Sequence, residues 1–288
     1  VDIVIAGCGD LGIETGLRFV GQGHRVTGLR RRGALVPEPL VGRSVDLRRE
    51  VAPIDPGTDV VVVALAAGSR DVDEYRATYV DGLRNVLDGI DASGSRPRVV
   101  VVSSTAVYDV DDGSTVTEET PAVAATPTAG VLLEAEALLR ARHPGAVLAR
   151  LSGVYGPGRE RLIDQVRGGS ARRTPQPGRS PHTNRIHRDD AAAALVHLAT
   201  LADPAPTYLV TDDEPARLDD VYAFLAAELD VPEPPRAEAA GRPAAGRQGA
   251  GDKRLSNALL RSTGWTPRYP SFREGYRAVL AGERTRHP

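Results

Sequence analysis

Val1-Asp2-Ile3-Val4-Ile5-Ala6-Gly7-Cys8-Gly9-Asp10-Leu11-Gly12 is a short apolar run followed by G-x-G-x-x-G. The run predicts a buried strand. From Ile13 onward, Leu17, Phe19 and Val20 recur in a helical pattern that Gly21 and Gly23 stop. Strand, glycine turn and helix start, in that order, are the context in which this motif holds a dinucleotide. Gly7 permits the tight turn, Gly9 lets backbone N–H groups approach a pyrophosphate, and Gly12 lets helix and strand pack closely. Asp10 and Leu11 open the helix, whose first-turn donors and positive dipole end suit phosphates. A glycine turn needed only for packing is the alternative.

Outward from that turn, His24 to Leu29 predicts a second strand ending in Arg30-Arg31-Arg32. An NAD-binding fold presents an acid there to the ribose 2′-hydroxyl, whereas arginine accommodates a 2′-phosphate. Arg30 and Arg31, with no acid, therefore favour NADP(H) over NAD(H); the alternative is a solvated basic turn. Ser44 to Leu47 predicts a short third strand, with Asp46 placed to reach the adenine. Val60 to Leu65 is a continuous apolar run of the kind that parallel sheets bury on both faces. Helices are expected over 71–92 and 129–142, and strands over 98–103 and 146–150. This alternation predicts an α/β fold, a doubly wound parallel sheet with right-handed crossovers over residues 1–150.

Past Leu151 the rhythm loosens into a smaller C-terminal lobe, 151–288, partly interleaved with the first domain. Residues 170–183 read as a loop, Asp189–Leu201 and Leu218–Leu229 as helices, and Thr207–Val210 as a strand. The proline-rich stretch 231–250 reads as a mobile loop or lid. Two helices near 255–261 and 272–280 complete the expectation.

A formal net charge of −2 argues against a nucleic-acid partner. Cys8 is the only cysteine, which excludes an internal disulfide. No leader pattern and no apolar run of membrane-spanning length are present, so a cytoplasmic protein with a small-molecule partner is expected. No metal site is read. Lys253 is the only lysine.

With these features in hand, the chain resembles an extended short-chain dehydrogenase/reductase of the NAD-dependent epimerase/dehydratase family. The marks are the glycine motif, Asp46-Leu47, Ala64-Leu65-Ala66-Ala67, Ser103 to Tyr108, Tyr155-Gly156-Pro157-Gly158 and Ile186-His187-Arg188-Asp189-Asp190. The tail Gly251 to Asn257, with Gly264-Trp265 and Arg268-Tyr269-Pro270, is similar to one atypical bacterial subgroup. The resemblance implies that Asp46, Leu47, Leu65, Ala66, Ala67 and Tyr155 border the cofactor.

The family's chemistry depends on Tyr-x-x-x-Lys, in which the tyrosine is acid/base and the lysine lowers its pKa. Aligning Glu136 with the family's helix acid puts Thr128 at the tyrosine and Leu132 at the lysine. A threonine hydroxyl cannot replace a phenol with a pKa of about 10. The resemblance leaves Ser104 either as the hydroxyl on the reacting oxygen or as a strand-end turn hydroxyl, with Thr105 a spare. Tyr108 is either a substitute acid or a ring packed under the following loop. Arg159 either clamps a substrate phosphate or carboxylate or faces solvent, and His187 either locks the lobes or moves a proton. Cys8 is expected to be a small filler.

The resemblance also implies a homodimer through helices 71–92 and 127–142; core packing within one subunit is the alternative reading of their apolar stripes. The expected function is an NADP-dependent epimerase/dehydratase-type enzyme on a small polar metabolite or nucleotide-linked sugar, using non-standard acid/base groups. The alternatives are a redox-neutral isomerase, dehydratase or cyclase, and a non-catalytic NADP(H)-sensing protein.

Overall fold

Alternation of side chains along each strand explains the layers. In Asp2–Ala6, Ile3 and Ile5 enter one apolar layer while Val4 and Ala6 enter the other. Val60–Val63 repeats this, with Val60 and Val62 on the first side and Val61 and Val63 on the second. A sheet apolar on both faces requires helices on both. The computed structural model describes residues 1–238 and 251–288.

Seven parallel strands form the sheet: Asp2–Ala6, Arg25–Arg30, Val41–Ser44, Val60–Val63, Arg98–Ser104, Val147–Leu151 and Thr207–Val210. Counted along the chain, they lie side by side as 3-2-1-4-5-6-7. The order reverses between the first and fourth strands, and ligands of such sheets bind in the crevice at the strand ends there. Because the strands are parallel, Ala6, Val63 and Ser104 all emerge on that same edge.

Helices Asp10–Gly21 and Arg188–Thr200 pack on one face. The other face holds Pro127–Arg142 and a helix over 72–93 that is π-helical at Arg76–Asp81. Asp71 caps the latter, its side chain accepting from the Glu74 N–H at 3.0 Å. Thr126 caps the former, accepting from the Ala129 N–H at 3.2 Å, so that helix starts two residues before the expected 129 with Pro127 in its first turn.

Leu83, Val86, Leu87 and Ile90 are buried with Val131, Ala135 and Leu139 against the sheet. Outward, Arg76 pairs with Glu134 at 2.5 Å and Arg142 with Asp88 at 2.6 Å. Packing within one subunit buries most of these stripes, while Tyr75 and Tyr79 stay partly exposed.

Two expectations move. The third strand is Val41–Ser44, three residues earlier than read, because Val45 and Leu47 turn into the core instead of continuing the ladder. The proposed lid is in part docked: Ala237 N–H donates to the Arg173 carbonyl at 2.8 Å and Arg236 to the Thr174 carbonyl at 2.8 Å. The remainder of that stretch, 239–250, lies outside the described residues.

Thr207–Val210 joins the main sheet beside Val147–Leu151, so residues beyond 151 complete the first layer structure. A second core in the C-terminal half gathers around Tyr155, Ile163, Val221, Leu225, Phe272 and Tyr276. No described helix is long and apolar enough to cross a membrane.

Candidate dinucleotide site and the adjoining cleft

Gly7 adopts φ +86°, and a Cβ there would stand 2.6 Å from the Ala64 carbonyl oxygen. A Cβ on Gly12 would stand 2.9 Å from the Gly7 carbonyl oxygen. Both glycines are demanded by close approach of backbone. Gly9 differs, since a Cβ there would meet nothing within 4 Å. Its open face adjoins the N-terminus of Asp10–Gly21, which no side chain caps. First-turn N–H groups of an uncapped helix are free for an anion. The turn therefore fits a pyrophosphate on its own geometry.

At the end of the second strand Arg30 is half-buried, and Arg31 and Arg32 are exposed. Asp46 lies in the turn after the third strand. Arg48 binds it at 2.9 and 2.8 Å and holds its carboxyl down at about 2, with Arg31 adding to the effect. Leu47 is buried, leaving its carbonyl to accept from Asn85 at 2.8 Å. Leu65, Ala66 and Ala67 form the turn after the fourth strand, partly exposed. The Gly68 N–H donates to Glu74 at 2.8 Å and so braces that turn. Cys8 is fully buried beneath Gly28, and burial pushes its thiol up to about 12. Such a thiol is inert filler.

Where the fifth strand ends, Ser104 Oγ accepts from the Ala106 N–H at 3.2 Å. That bond uses a lone pair and leaves the hydroxyl hydrogen available to a ligand oxygen. Thr128 is half-buried beside Thr126, their hydroxyls 3.2 Å apart. Leu132, at the place of the family's lysine, is buried among Val107, Tyr108 and Val116.

Residues 3–210 match the model of the NAD dependent epimerase/dehydratase family. The chain belongs to that family. A provisionally assigned NAD-dependent epimerase/dehydratase from Methylobacillus flagellatus shares 36% identity over 98% of both chains, at a TM-score of 0.77. A functionally unknown conserved protein from Silicibacter pomeroyi shares 27% over 98% of both, at 0.76. UDP-glucuronic acid 4-epimerase from Bacillus cereus, solved with NAD, has the same fold at 15% identity and a TM-score of 0.77, covering 98% of this chain and 96% of that one. No curated protein matches the chain.

Within this epimerase/dehydratase frame, several expected site residues turn inward. Tyr108 is 2% exposed, and its hydroxyl accepts from Arg150 at 2.5 Å. Arg150 is itself clamped to Glu136 at 3.0 and 2.5 Å, and Glu136 accepts from Ser103 at 2.6 Å. Burial raises the Tyr108 phenol above its ordinary range, so it is a member of a buried network and not a ready acid. Thr105 is also buried, donating to the Leu151 carbonyl at 3.4 Å. The Tyr155 ring is buried and packs with Tyr276 and His187 in the second lobe's core.

His187 is 1% exposed and caps helix Arg188–Thr200, its Nδ1 accepting from the Asp189 N–H at 3.2 Å. Burial lowers the imidazole to about 4. This geometry fits the structural reading of His187. A histidine depressed in the folded state is neutral there, while the unfolded chain protonates at the ordinary value of 6.5. The stability it contributes is present above that value and is lost as pH falls toward about 4. Unfolding in urea is expected to show a loss of about 2 kcal/mol between about pH 7 and about pH 5. In His187→Asn, which can still cap, this loss should shrink to a small residue. An unchanged pH dependence would reject the assignment.

Arg159 reaches the glycine motif: its Nε donates to Asp10 at 3.1 Å. Asp10 is 8% exposed, and its carboxylate also accepts from Arg188 Nη1 at 2.7 Å and from the His287 N–H at 3.1 Å. The side chain of Asp10 is thus a clasp between the lobes.

Sequence reasoning passed over Arg188, the Glu136–Arg150 pair and residues 284–288. Lys253, the only lysine, is buried with Nζ donating to the Tyr108 carbonyl at 2.7 Å. Local patterns do not mark the distant contacts, such as Arg188 with Asp10, 178 residues apart, and Glu136 with Arg150, 14 apart.

Proposed function

We propose that this protein binds NADP(H) on the glycine turn and acts on a small polar metabolite or nucleotide-linked sugar without the family's tyrosine and lysine. The open face of Gly9, flanked by Arg30 and Arg31, carries the reading. A nicotinamide dinucleotide held there supplies hydride exchange with a substrate carbon. Ser104 holds the substrate oxygen through its free hydroxyl hydrogen, on the same sheet edge as the turn. Thr128 adds a second hydroxyl at the place of the missing tyrosine. UDP-sugars are the first substrates to try, because a structural neighbour of the same fold is UDP-glucose 4-epimerase from Bifidobacterium longum in complex with NAD+ and UDP. A second reading, an NADP(H)-responsive protein without turnover, is favoured by the burial of both Tyr108 and His187.

Calorimetric titration with NADP+, NADPH, NAD+ and NADH tests the first step. Arg30→Ala should weaken the phosphorylated pair far more than the other, and an equal loss would refute the 2′-phosphate assignment. Ser104→Ala should lower turnover of a UDP-sugar by about ten-fold or more while leaving dinucleotide affinity unchanged. Binding of NADP(H) with no change in any sugar or in nicotinamide redox state would favour the sensing reading.

A further inference from the structure

Residues 284–288 run from the start of helix Arg188–Thr200, past the first turn of Asp10–Gly21, to the end of the second strand. Arg284 lies 3.6 Å from Asp189. The Thr285 carbonyl accepts from Arg188 at 3.3 Å. Arg286 packs on Gly158 and donates to its carbonyl at 3.2 Å. His287 donates its N–H to Asp10 at 3.1 Å, and its ring nitrogen Nε2 lies 2.9 Å from Glu14. Lastly, Arg30 Nη1 donates to the Pro288 carbonyl at 2.8 Å. The guanidinium placed to read a 2′-phosphate is therefore engaged by the chain itself.

We propose that residues 284–288 form a detachable strap that competes with the 2′-phosphate of NADP(H) for Arg30, so that binding the phosphorylated dinucleotide releases the strap. This inference rests on the dinucleotide reading above. Of the five residues only His287 is even half-buried, and no apolar side chain anchors the segment. Segments held by exposed polar contacts, without apolar burial, open at low free energy. A ligand binding only the open state has its affinity reduced by the fraction of time that state is populated. NAD(H), which lacks the 2′-phosphate, does not contest Arg30 and leaves the strap in place. The strap therefore lowers the preference for the phosphorylated cofactor below what the bare arginines would give.

Calorimetry on the parent chain and on the Arg286→Ala/His287→Ala double variant tests this with NADP+ and NAD+. The variant is expected to bind NADP+ about five-fold tighter, with NAD+ unchanged. Equal affinities in both proteins, an equal gain for both dinucleotides, or weaker NADP+ binding in the variant would overturn the strap and leave dinucleotide binding standing. No binding of either dinucleotide by either protein would remove the dinucleotide reading and the strap with it. An independent measurement on the parent chain follows amide exchange at His287, which Asp10 protects. Saturating NADP+ should accelerate it and NAD+ should not; unchanged exchange under NADP+ would reject the proposal.

Discussion

Arg188→Ala is expected to destabilise the protein by about 3–5 kcal/mol, read as a shift in the urea midpoint. Arg188 is fully buried, with Nη1 on Asp10 at 2.7 Å and Nε on Asp189 at 2.7 Å. Removing it leaves two carboxylates in a site from which water is excluded, and Asp189 is itself fully buried. The penalty is chiefly that of uncompensated charge, added to the lost packing of a large side chain. Lysine should not rescue it, because a single ammonium cannot present the planar fork that spans both acids. A loss under about 1 kcal/mol would show that Arg159, Arg18 and Arg284, which already approach these acids, take over the pairing.

Gly9→Val is expected to lower dinucleotide affinity by about a hundred-fold, equivalent to roughly 2.8 kcal/mol, with little change in stability. Gly9 has extended backbone at φ −91° and ψ −157°, which any side chain adopts. A Cβ there would meet nothing within 4 Å, so the added side chain starts into the space a pyrophosphate would fill. Gly7→Ala should do the reverse, unfolding the turn at φ +86° against Ala64 before binding can be measured. Calorimetry beside thermal melting separates the two variants. If Gly9→Val binds dinucleotide as well as the parent, the pyrophosphate does not lie on this turn.

The contrast between those glycines was only half legible beforehand. That Gly7, Gly9 and Gly12 form a dinucleotide turn followed from their spacing between an apolar strand and a helix. That Gly7 has no room for a side chain depends on Ala64, more than fifty residues away. The acid/base assignments show the same division. The absence of tyrosine and lysine at Thr128 and Leu132 could be read from one short stretch. The inward turn of Tyr108 required Arg150, 42 residues on, and the clasp at Asp10 required Arg188, 178 residues on. Polar side chains carry no mark in the sequence of whether their partner will be water or a distant guanidinium.

The sequence by itself determined the layered sheet, the glycine turn, the arginines after the second strand and the loss of the family's catalytic pair. These depend on side-chain periodicity, backbone conformation and residue identity, which act over a few residues. Tertiary structure alone decided that His187 caps a helix, that Tyr108 joins a buried network and that residues 284–288 occupy Arg30. Those outcomes depend on burial and on pairs such as Arg188 with Asp10, 178 residues apart. Folding brings such charges together because a buried charge must be paired, and no local pattern records which partner it will find.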